Sequence, residues 1–298
     1  MENIKKSTDF GTLLGLAAGI SIIFIGINQS GGSLYWFFNL NSILIVVGGT
    51  FAATMVNLPL KALKTLPKIL SNVFRADDAD YDSIIEEIVI KAQKAKKDGL
   101  LSLEADLPKM REGFFKNGIE LAINERESSR LRTFLNLELN NISSRHIAGQ
   151  ELFLYMASYA PAFGMLGTVL GLIVMMNNFS SGGGNASESL DVAERFAELL
   201  AGMGLALITT FYGVFFANMI FLPIGGKLKR LSENEMMLKS IVVEGIISIH
   251  AREHPILIKE KLMTFVPHFV RSYPEENQTN DKSKSSLSAV KGRLEEKH

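Results

Sequence analysis

The chain has 298 residues, no cysteine, and 31 Lys and Arg against 31 Asp and Glu, so its formal net charge is zero. Balanced charge argues against a basic nucleic-acid-binding protein, and the lack of cysteine excludes disulfides, thiolate nucleophiles and Cys-ligated metals. Hydrophobic residues make up 47% of the sequence, and their distribution along the chain indicates the fold class.

Four long apolar segments stand in two pairs along the chain. They cover residues 11–28, 36–57, 152–176 and 197–223. A helix needs about 20 apolar residues to cross a bilayer, so each segment is long enough to span one. No convincing cleavage site follows the first segment, which we interpret as an uncleaved helix. The sequence therefore predicts an all-α polytopic membrane protein with four transmembrane helices in two hairpins.

None of the four segments carries Asp or Glu in its middle. Ionisable residues inside a membrane typically mark ion pathways. If the protein handles ions, a buried carboxylate must therefore come from another chain.

Lys and Arg are distributed unevenly between the connections. The 28–35 connection has none, and the 177–196 connection has only Arg195. Positive charges instead follow the second and fourth segments, at Lys61, Lys64, Lys68, Arg75, Lys227, Lys229 and Arg230. Cytoplasmic connections carry the excess of Lys and Arg, so we expect both termini and residues 58–150 to be cytoplasmic.

The spans divide the chain into five predicted parts. These are an N-terminal transmembrane hairpin at 1–57, a cytoplasmic helical domain at 58–150, a C-terminal transmembrane hairpin at 151–224, a cytoplasmic helical extension at 225–273 and a disordered tail at 274–298. We assign the tail to disorder because it is polar and poor in apolar residues.

Helical periodicity is clear within the 58–150 domain. Apolar residues at three- and four-residue spacing predict an amphipathic helix, with Ile84, Ile85, Ile88, Ala92 and Ala95 on one face. Gly99 stands where a C-terminal cap belongs, and Ser102 is predicted to cap the next short helix. Further helices are expected at 109–123, 126–148, 226–252 and 255–269.

The third segment contains APAFGMLGTVLGL. Pro161 deprives one carbonyl of its helical partner and favours a kink. Pro161, Gly164 and Thr168 share one helix face. Gly167 and Gly171 form a small-xxx-small pair that permits close helix contact. Taken alone, such a motif is more often structural than functional, because Pro and Gly are frequent in membrane helices.

The fourth segment carries adjacent hydroxyls at Thr209 and Thr210. They point about 100° apart on a helix, so at most one faces a pore squarely. Hydroxyl oxygen is a hard donor that suits a Na⁺-like ion. A Thr in a membrane helix nevertheless most often bonds the backbone or a neighbouring helix.

Two other polar groups admit simple explanations. Residues 94–106 contain a cluster of Lys residues followed by a cluster of acidic residues. The default interpretation is that both clusters lie on the solvent-exposed side of an amphipathic surface. His250 and His254 lie four apart without a third ligand, so a metal site is disfavoured. No nucleophile–base pair emerges from the chain, which argues against an enzyme.

Four stretches together resemble the bacterial flagellar stator A subunit, the MotA/PomA family, and its sodium-driven PomA-like branch in particular. They are SILIVVGGT at 42–50, GLLSLEAD at 99–106, PAFGMLGTVLGLI at 161–173 and ALITTFYGVFFANMIFLPI at 206–224. The resemblance extends over roughly residues 8–270. The related TolQ/ExbB group has fewer spans and lacks the SLE motif.

The resemblance implies a mechanism and a set of partners. A ring of A subunits, a pentamer in this family, surrounds a pair of MotB/PomB-like B subunits whose membrane helices carry the ion-binding aspartate. Ion flow lets the ring turn, and the cytoplasmic domain pushes on the rotor's switch-complex protein. The implied setting is the bacterial inner membrane with its lipid, with no tightly bound cofactor, no metal, no catalytic residue and no nucleic-acid partner.

The resemblance also assigns roles to individual residues. Pro161, Thr168, Thr209 and Thr210 match residues beside the ion path, with Thr210 favoured to face the ion. Pro223 matches a second proline with a conformational role at the cytoplasmic end of the fourth span.

The rotor-facing charges implied by the resemblance are Lys96 and Glu104, with Lys97 as an accessory. The chain departs from the family pattern at two positions near the spans. Asn39 and Ser158 stand where many relatives have Asp. Ala105 and a longer 177–196 connection are further departures.

Threonine hydroxyls at the ion path favour Na⁺ over H⁺ as the transported ion. A proton needs only a carboxylate and a water chain, whereas Na⁺ needs several oxygens to replace its hydration shell. Three alternatives stay open: a proton-driven stator of the same family, a TolQ/ExbB-like energiser of envelope transport, and a membrane scaffold with no ion role.

Overall fold

A computed structural model of the chain describes residues 9–59, 66–74, 80–110, 113–181 and 192–266. All regular structure in these residues is helical. Four helices are long and apolar enough to cross a membrane, namely Phe10–Gln29, Leu40–Asn57, Ser128–Asn177 and Leu199–His250. The predicted all-α class with four spans is confirmed. The tail at 274–298 lies outside the described residues.

A short connection joins the first two spans. Helix α1 (Phe10–Gln29) begins at Asp9, whose carboxylate accepts the backbone N–H groups of Gly11 and Thr12. A 3₁₀ turn at Leu34–Phe37 leads into helix α2 (Leu40–Asn57), which contains a π-helical stretch at Leu44–Gly48.

The third span belongs to one helix of 54 residues, α6 (Ser128–Ser181). At about 1.5 Å per residue it is about 80 Å long. The helix predicted separately at 126–148 is therefore the first part of the same helix that contains the third span, and this helix continues through Pro161. Proline removes one hydrogen bond, which a long and otherwise regular helix tolerates.

The fourth span is interrupted just before Pro223. Helix α7 (Val192–Phe215) passes through a π-helical stretch, Phe216–Phe221, into helix α8 (Leu222–His250). Pro223 has no N–H to donate to the carbonyl of Met219, so the hydrogen-bond ladder must rearrange there. The wider π turn immediately before the proline accommodates that rearrangement.

The chain divides into two compact units. The first comprises Met1–Asp80 and Arg132–Ser240, and the second comprises Tyr81–Leu131 and Ile241–His298. In the first unit, helix α3 (Leu66–Val73) adds Val73 to a buried core formed by α6 and the fourth span. The core side chains include Leu152, Phe153, Met156, Ala160, Ala217, Phe221 and Ile224.

The second unit contains three further helices and a 3₁₀ segment: α4 (Tyr81–Asp98), the segment Leu100–Lys109, α5 (Phe114–Asn124) and α9 (Pro255–Met263). The predicted apolar face of α4 is confirmed, because Ile85, Ile88, Ala92 and Ala95 are buried. Ile84 is only half-buried.

Two local predictions in this unit have different outcomes. Gly99 ends α4 with a φ of 86°, which confirms the expected glycine cap. The prediction that Ser102 caps a following helix is wrong, because Ser102 lies inside the 3₁₀ segment. Its Oγ donates a hydrogen bond to the carbonyl of Gly99 at 2.6 Å.

Candidate functional site: the contact between helices α6 and α7

Helices α6 and α7 meet at backbone contact. A Cβ atom at Gly213 would lie 2.7 Å from the carbonyl oxygen of Ala160 and 3.1 Å from Cα of Pro161. A Cβ atom at Gly164 would lie 3.0 Å from the carbonyl oxygen of Thr209. Backbone atoms cannot move aside as a side chain can, so both positions require glycine for this approach.

The same contact continues along α6 at the predicted small-xxx-small pair. A Cβ atom at Gly167 would lie 2.6 Å from Cβ of Thr209, and one at Gly171 would lie 3.2 Å from the backbone nitrogen of Ala206. The prediction that this pair permits close helix contact is confirmed. We call the contact formed by Gly164, Gly167 and Gly171 with α7 the glycine seam.

Thr209 and Thr210 point to different sides of α7. Thr209 is fully buried in the glycine seam, and its hydroxyl donates to the carbonyl of Ala206 at 2.8 Å. Thr210 is half-buried, with its hydroxyl 3.4 Å from the same carbonyl, and it lines an apolar groove of about 350 Å³ with Asn218 and Ile23. Asn218, which the sequence reading missed, adds an amide to this groove.

Thr168 bonds its own helix in the same way. Its hydroxyl donates to the carbonyl of Met165 at 2.6 Å. A hydroxyl that donates one hydrogen bond keeps lone pairs that can still bind a cation. The hydroxyls of Thr168, Thr209 and Thr210 therefore combine a structural bond with the capacity to offer oxygen to an ion.

Thr168 lies beside a stripe of exposed apolar side chains on α6. Met165, Val169, Leu172 and Met176 are separated by three or four residues, so they fall on one helix face. Each is 44–61% exposed in the single chain. Such a stripe on a membrane helix is suited to lipid or to another apolar helix.

A tyrosine joins the fourth span to the start of the second. Tyr212 Oη donates to the carbonyl of Phe37 and lies 3.4 Å from the backbone nitrogen of Asn39. Asn39 caps α2, because its side-chain oxygen accepts the N–H of Ser42 at 3.1 Å. Asp serves equally well at an N-cap, which gives a structural reason why either residue fits this position.

An ion pair joins the beginning of α1 to α8. Lys227 Nζ contacts the carboxylate of Asp9, which also accepts the hydroxyl of Thr12 at 2.7 Å. The hydrogen bond from Lys227 is the main cause that holds the pKa of Asp9 well below its ordinary value. The partners are 218 residues apart, so nothing local in the sequence indicates the pair.

The predicted rotor-facing charges lie in the second unit and are exposed. Lys96 and Lys97 are in the last turn of α4, and Glu104 is in the 3₁₀ segment. Two residues after Glu104 the segment carries a further acid, Asp106, whose partners the sequence does not indicate.

Asp106 ties the 3₁₀ segment to α4. Its carboxylate accepts hydrogen bonds from Lys94 at 2.8 Å and Lys91 at 2.9 Å, and its side chain is only 18% exposed. The two lysine hydrogen bonds, led by that from Lys94, lower the pKa of Asp106 to about 2. The pair of bridges fixes the segment that carries Glu104.

The two histidines of the HAREH sequence have structural roles. His254 Nδ1 accepts the N–H of Ile256 at the start of α9, and His250 Nε2 lies 2.9 Å from the carbonyl of Glu125. Within the described ranges, no group of three metal-ligating side chains occurs.

Comparison with known proteins identifies the family. Residues 107–240 match the MotA/TolQ/ExbB proton channel family. Motility protein A of Borreliella burgdorferi is 34% identical over 258 residues, which make up 87% of this chain and 94% of that protein. The chain belongs to the motility protein A family. Family members are ion-channel and motor components, which confirms that the chain is not an enzyme.

Two further comparisons agree with this family. Chemotaxis protein PomA of Vibrio alginolyticus is 29% identical, over 87% of this chain and 95% of that protein. The family resemblance is confirmed, although whole-sequence identity does not single out the PomA-like branch. A chain of the flagellar MotAB stator complex from Bacillus subtilis has the same fold, with a TM-score of 0.74, 28% identity, and coverage of 86% of this chain and 95% of that chain.

Proposed function

We propose that the chain is the A subunit of a flagellar stator that converts ion flow across the bacterial inner membrane into torque on the rotor. The observation that carries the proposal is the contact between α6 and α7, where the glycine seam buries Thr209 while Thr168 and Thr210 stay partly exposed. Thr168 lies beside the exposed apolar stripe of α6, and residues 152–176 and 199–223 contain no carboxylate. The similarity to motility protein A over almost the whole chain supports the same function.

The ion-binding acid comes from a B subunit. No Asp or Glu occurs within residues 152–176 or 199–223, and an ion crossing a membrane needs compensating charge. The stripe formed by Met165, Val169, Leu172 and Met176 gives a membrane helix of the B subunit an apolar surface on which to dock. Several A subunits, five by resemblance, then surround the B subunits.

The ion path runs along the fourth span and Thr168, and Na⁺ is the favoured ion. Thr168, Thr209 and Thr210 each retain oxygen lone pairs that can bind a cation. Thr209 is buried in the glycine seam, so Thr210 is the more accessible of the two. Pro161 leaves the carbonyl of Ala157 without its helical partner. Pro223 with its π turn allows the cytoplasmic end of the fourth span to bend.

The second compact unit faces the rotor in the cytoplasm. The exposed charges of Lys96, Lys97 and Glu104 steer the rotor's switch-complex protein into register, while Asp106 fixes the segment beneath them. The positive charges that follow the second and fourth spans support a cytoplasmic location for both termini and this unit.

A complementation experiment tests the proposed function. The chain is expressed with its cognate B subunit in a bacterium that lacks every stator, and rotation of tethered cells is recorded. We expect rotation that requires both subunits. If both subunits are in the membrane and support envelope transport but not rotation, the chain is instead a TolQ/ExbB-like energiser. The family matched by residues 107–240 includes that group as well.

A further inference from the structure

A cavity of about 410 Å³ lies where the beginning of α1 meets α8, within the first compact unit. Its wall is mostly apolar and includes Gly15, Leu16 and Phe74, whereas its mouth carries Lys227 and Arg230. We call it the α1–α8 cavity. It combines a space large enough for part of a hydrocarbon chain with two cationic side chains at one end.

The α1–α8 cavity lies at a boundary between membrane and water. The first apolar span begins at Phe10, and the fourth apolar segment ends near Pro223, before the cations at 227–230. Both ends meet water on the same side, because α1 and α8 are joined there by the Asp9–Lys227 pair. The apolar wall therefore faces hydrocarbon, and the cationic mouth lies at the headgroup level.

The charges that the structure describes at the cavity mouth are not balanced. Two charged side chains line the cavity, Lys227 and Arg230, and Asp9 is paired with Lys227. The carboxylate of Asp9 forms an ion pair with Lys227 and accepts a hydrogen bond from the hydroxyl of Thr12 at 2.7 Å. Arg230 is exposed and has no ion-pair partner among the described residues. Among the residues that the structure describes, one positive charge is thus left at the headgroup level, where an anion complements it.

We propose that the α1–α8 cavity binds an anionic phospholipid. One acyl chain lies along Gly15 and Leu16, and the phosphate is held by the guanidinium of Arg230 with help from Lys227. Arginine presents paired N–H donors that match phosphate oxygens, and basic pockets between membrane helices are suited to acidic lipid headgroups. The proposal depends on the membrane location of the chain and is independent of its function as a stator.

Fluorescence quenching by brominated lipid tests the proposal directly. Trp36 is the only tryptophan of the chain, so the variant Trp36→Phe with Phe74→Trp reports from the cavity wall. The full-length variant is reconstituted into phosphatidylcholine vesicles with increasing brominated phosphatidylglycerol or, separately, brominated phosphatidylcholine. We expect quenching by the anionic lipid to saturate at a much lower mole fraction than quenching by the zwitterionic lipid.

Two matched pairs of variants, in the same reporter background, test headgroup and chain separately. Arg230→Gln should raise the half-quenching mole fraction of the anionic lipid about fivefold, whereas Lys229→Gln, which removes a neighbouring charge outside the cavity, should not. Gly15→Leu places a side chain in the cavity and should therefore weaken quenching by the lipid. The side chain has room, because a Cβ atom at residue 15 meets nothing within 4 Å. Gly26→Leu is the control in the same helix, since its Cβ is equally unobstructed.

Four outcomes would overturn the proposal. Equal quenching by both lipids would show that the cavity does not select an anionic headgroup. Equal effects of Arg230→Gln and Lys229→Gln would show that only the overall surface charge matters. Relief of quenching by millimolar inorganic phosphate would show that the site binds a free phosphate group, and absence of quenching by either lipid would show that protein covers the cavity.

Discussion

Gly213 and Ala160 face each other so closely that a Cβ atom at residue 213 would lie 2.7 Å from the carbonyl oxygen of residue 160. The contact brings the backbone of α7 against α6 one residue before Pro161. It fixes the position of the fourth-span threonines relative to the third span, so the proposed ion path depends on it.

Replacing Gly213 by Ala should therefore destabilise the membrane part of the protein. The new methyl group has only backbone to displace, and overpacking of this kind costs about 1–3 kcal/mol. The measurement is the thermal unfolding midpoint in detergent, together with rotation of tethered cells. Gly204→Ala is the matched control on the same helix, because a Cβ there meets nothing within 4 Å; equal behaviour of the two variants would contradict the seam.

Removing the hydroxyl of Thr210 should impair ion use without impairing folding. Thr210→Val keeps the shape of the side chain but loses its oxygen, so we expect the Na⁺ concentration for half-maximal swimming speed to rise about tenfold, equivalent to ~1.4 kcal/mol. Thr210→Ser retains the hydroxyl and should restore speed. Normal swimming of the Val variant in low Na⁺ would remove Thr210 from the ion path.

Reversing the charge of Lys96 should weaken torque while leaving the protein in the membrane. Exposed charges act mainly through steering and register, so we expect lower stall torque and partial recovery when the facing charge on the rotor is also reversed. Lys259→Glu is a matched reversal at an exposed position of the second unit. If motors with Lys96→Glu and motors with Lys259→Glu rotate equally well, the rotor-facing surface lies elsewhere.

Asp106→Asn should loosen the 3₁₀ segment at neutral pH. Its pKa is lowered from the ordinary 3.8 to about 2, so the ionised carboxylate stabilises the folded state at pH values above 3.8. That contribution, about 1–2 kcal/mol after allowance for partial solvent exposure, is lost as the pH falls through about 2. The stability difference between the variant and the unmodified chain should therefore narrow between about pH 4 and 2.

Hydrogen exchange of Leu100–Lys109 measures this effect at the segment itself. Asp98→Asn is the control, because Asp98 is an exposed acid at the end of α4. A negative charge at a helix C-terminus interacts unfavourably with the helix dipole, so its removal should not loosen the segment. Faster exchange confined to Asp106→Asn is expected. Unchanged exchange in that variant would show that the lysine bridges do not hold the segment.

The sequence predicts local features of this fold well and long-range partners poorly. Hydropathy locates the four spans, and the Gly167–Gly171 spacing indicates a close helix contact, because both signals lie within one segment. Gly213 cannot be recognised as the partner of Ala160 from spacing, since the identity of the facing helix depends on tertiary packing. The ion pair of Asp9 with Lys227 is hidden for the same reason.

For the site residues too, tertiary packing decides what the sequence leaves open. Helical periodicity places Thr209 and Thr210 about 100° apart, but only packing shows that Thr209 is the one buried against Gly167. The second compact unit combines Tyr81–Leu131 with residues after Ile241, a joining of distant segments that composition does not indicate. The five-part division of the chain and the roles of the rotor-facing charges remain predictions.

The central claim is tested most directly by motor rotation as a function of Na⁺. Tethered cells whose only stator is this chain with its cognate B subunit are followed at fixed pH and fixed membrane potential while external Na⁺ is varied. We predict torque that rises with Na⁺ and then saturates. Rotation that ignores Na⁺ and stops with a protonophore would contradict the choice of ion, and no rotation with both subunits in the membrane would contradict the stator function itself.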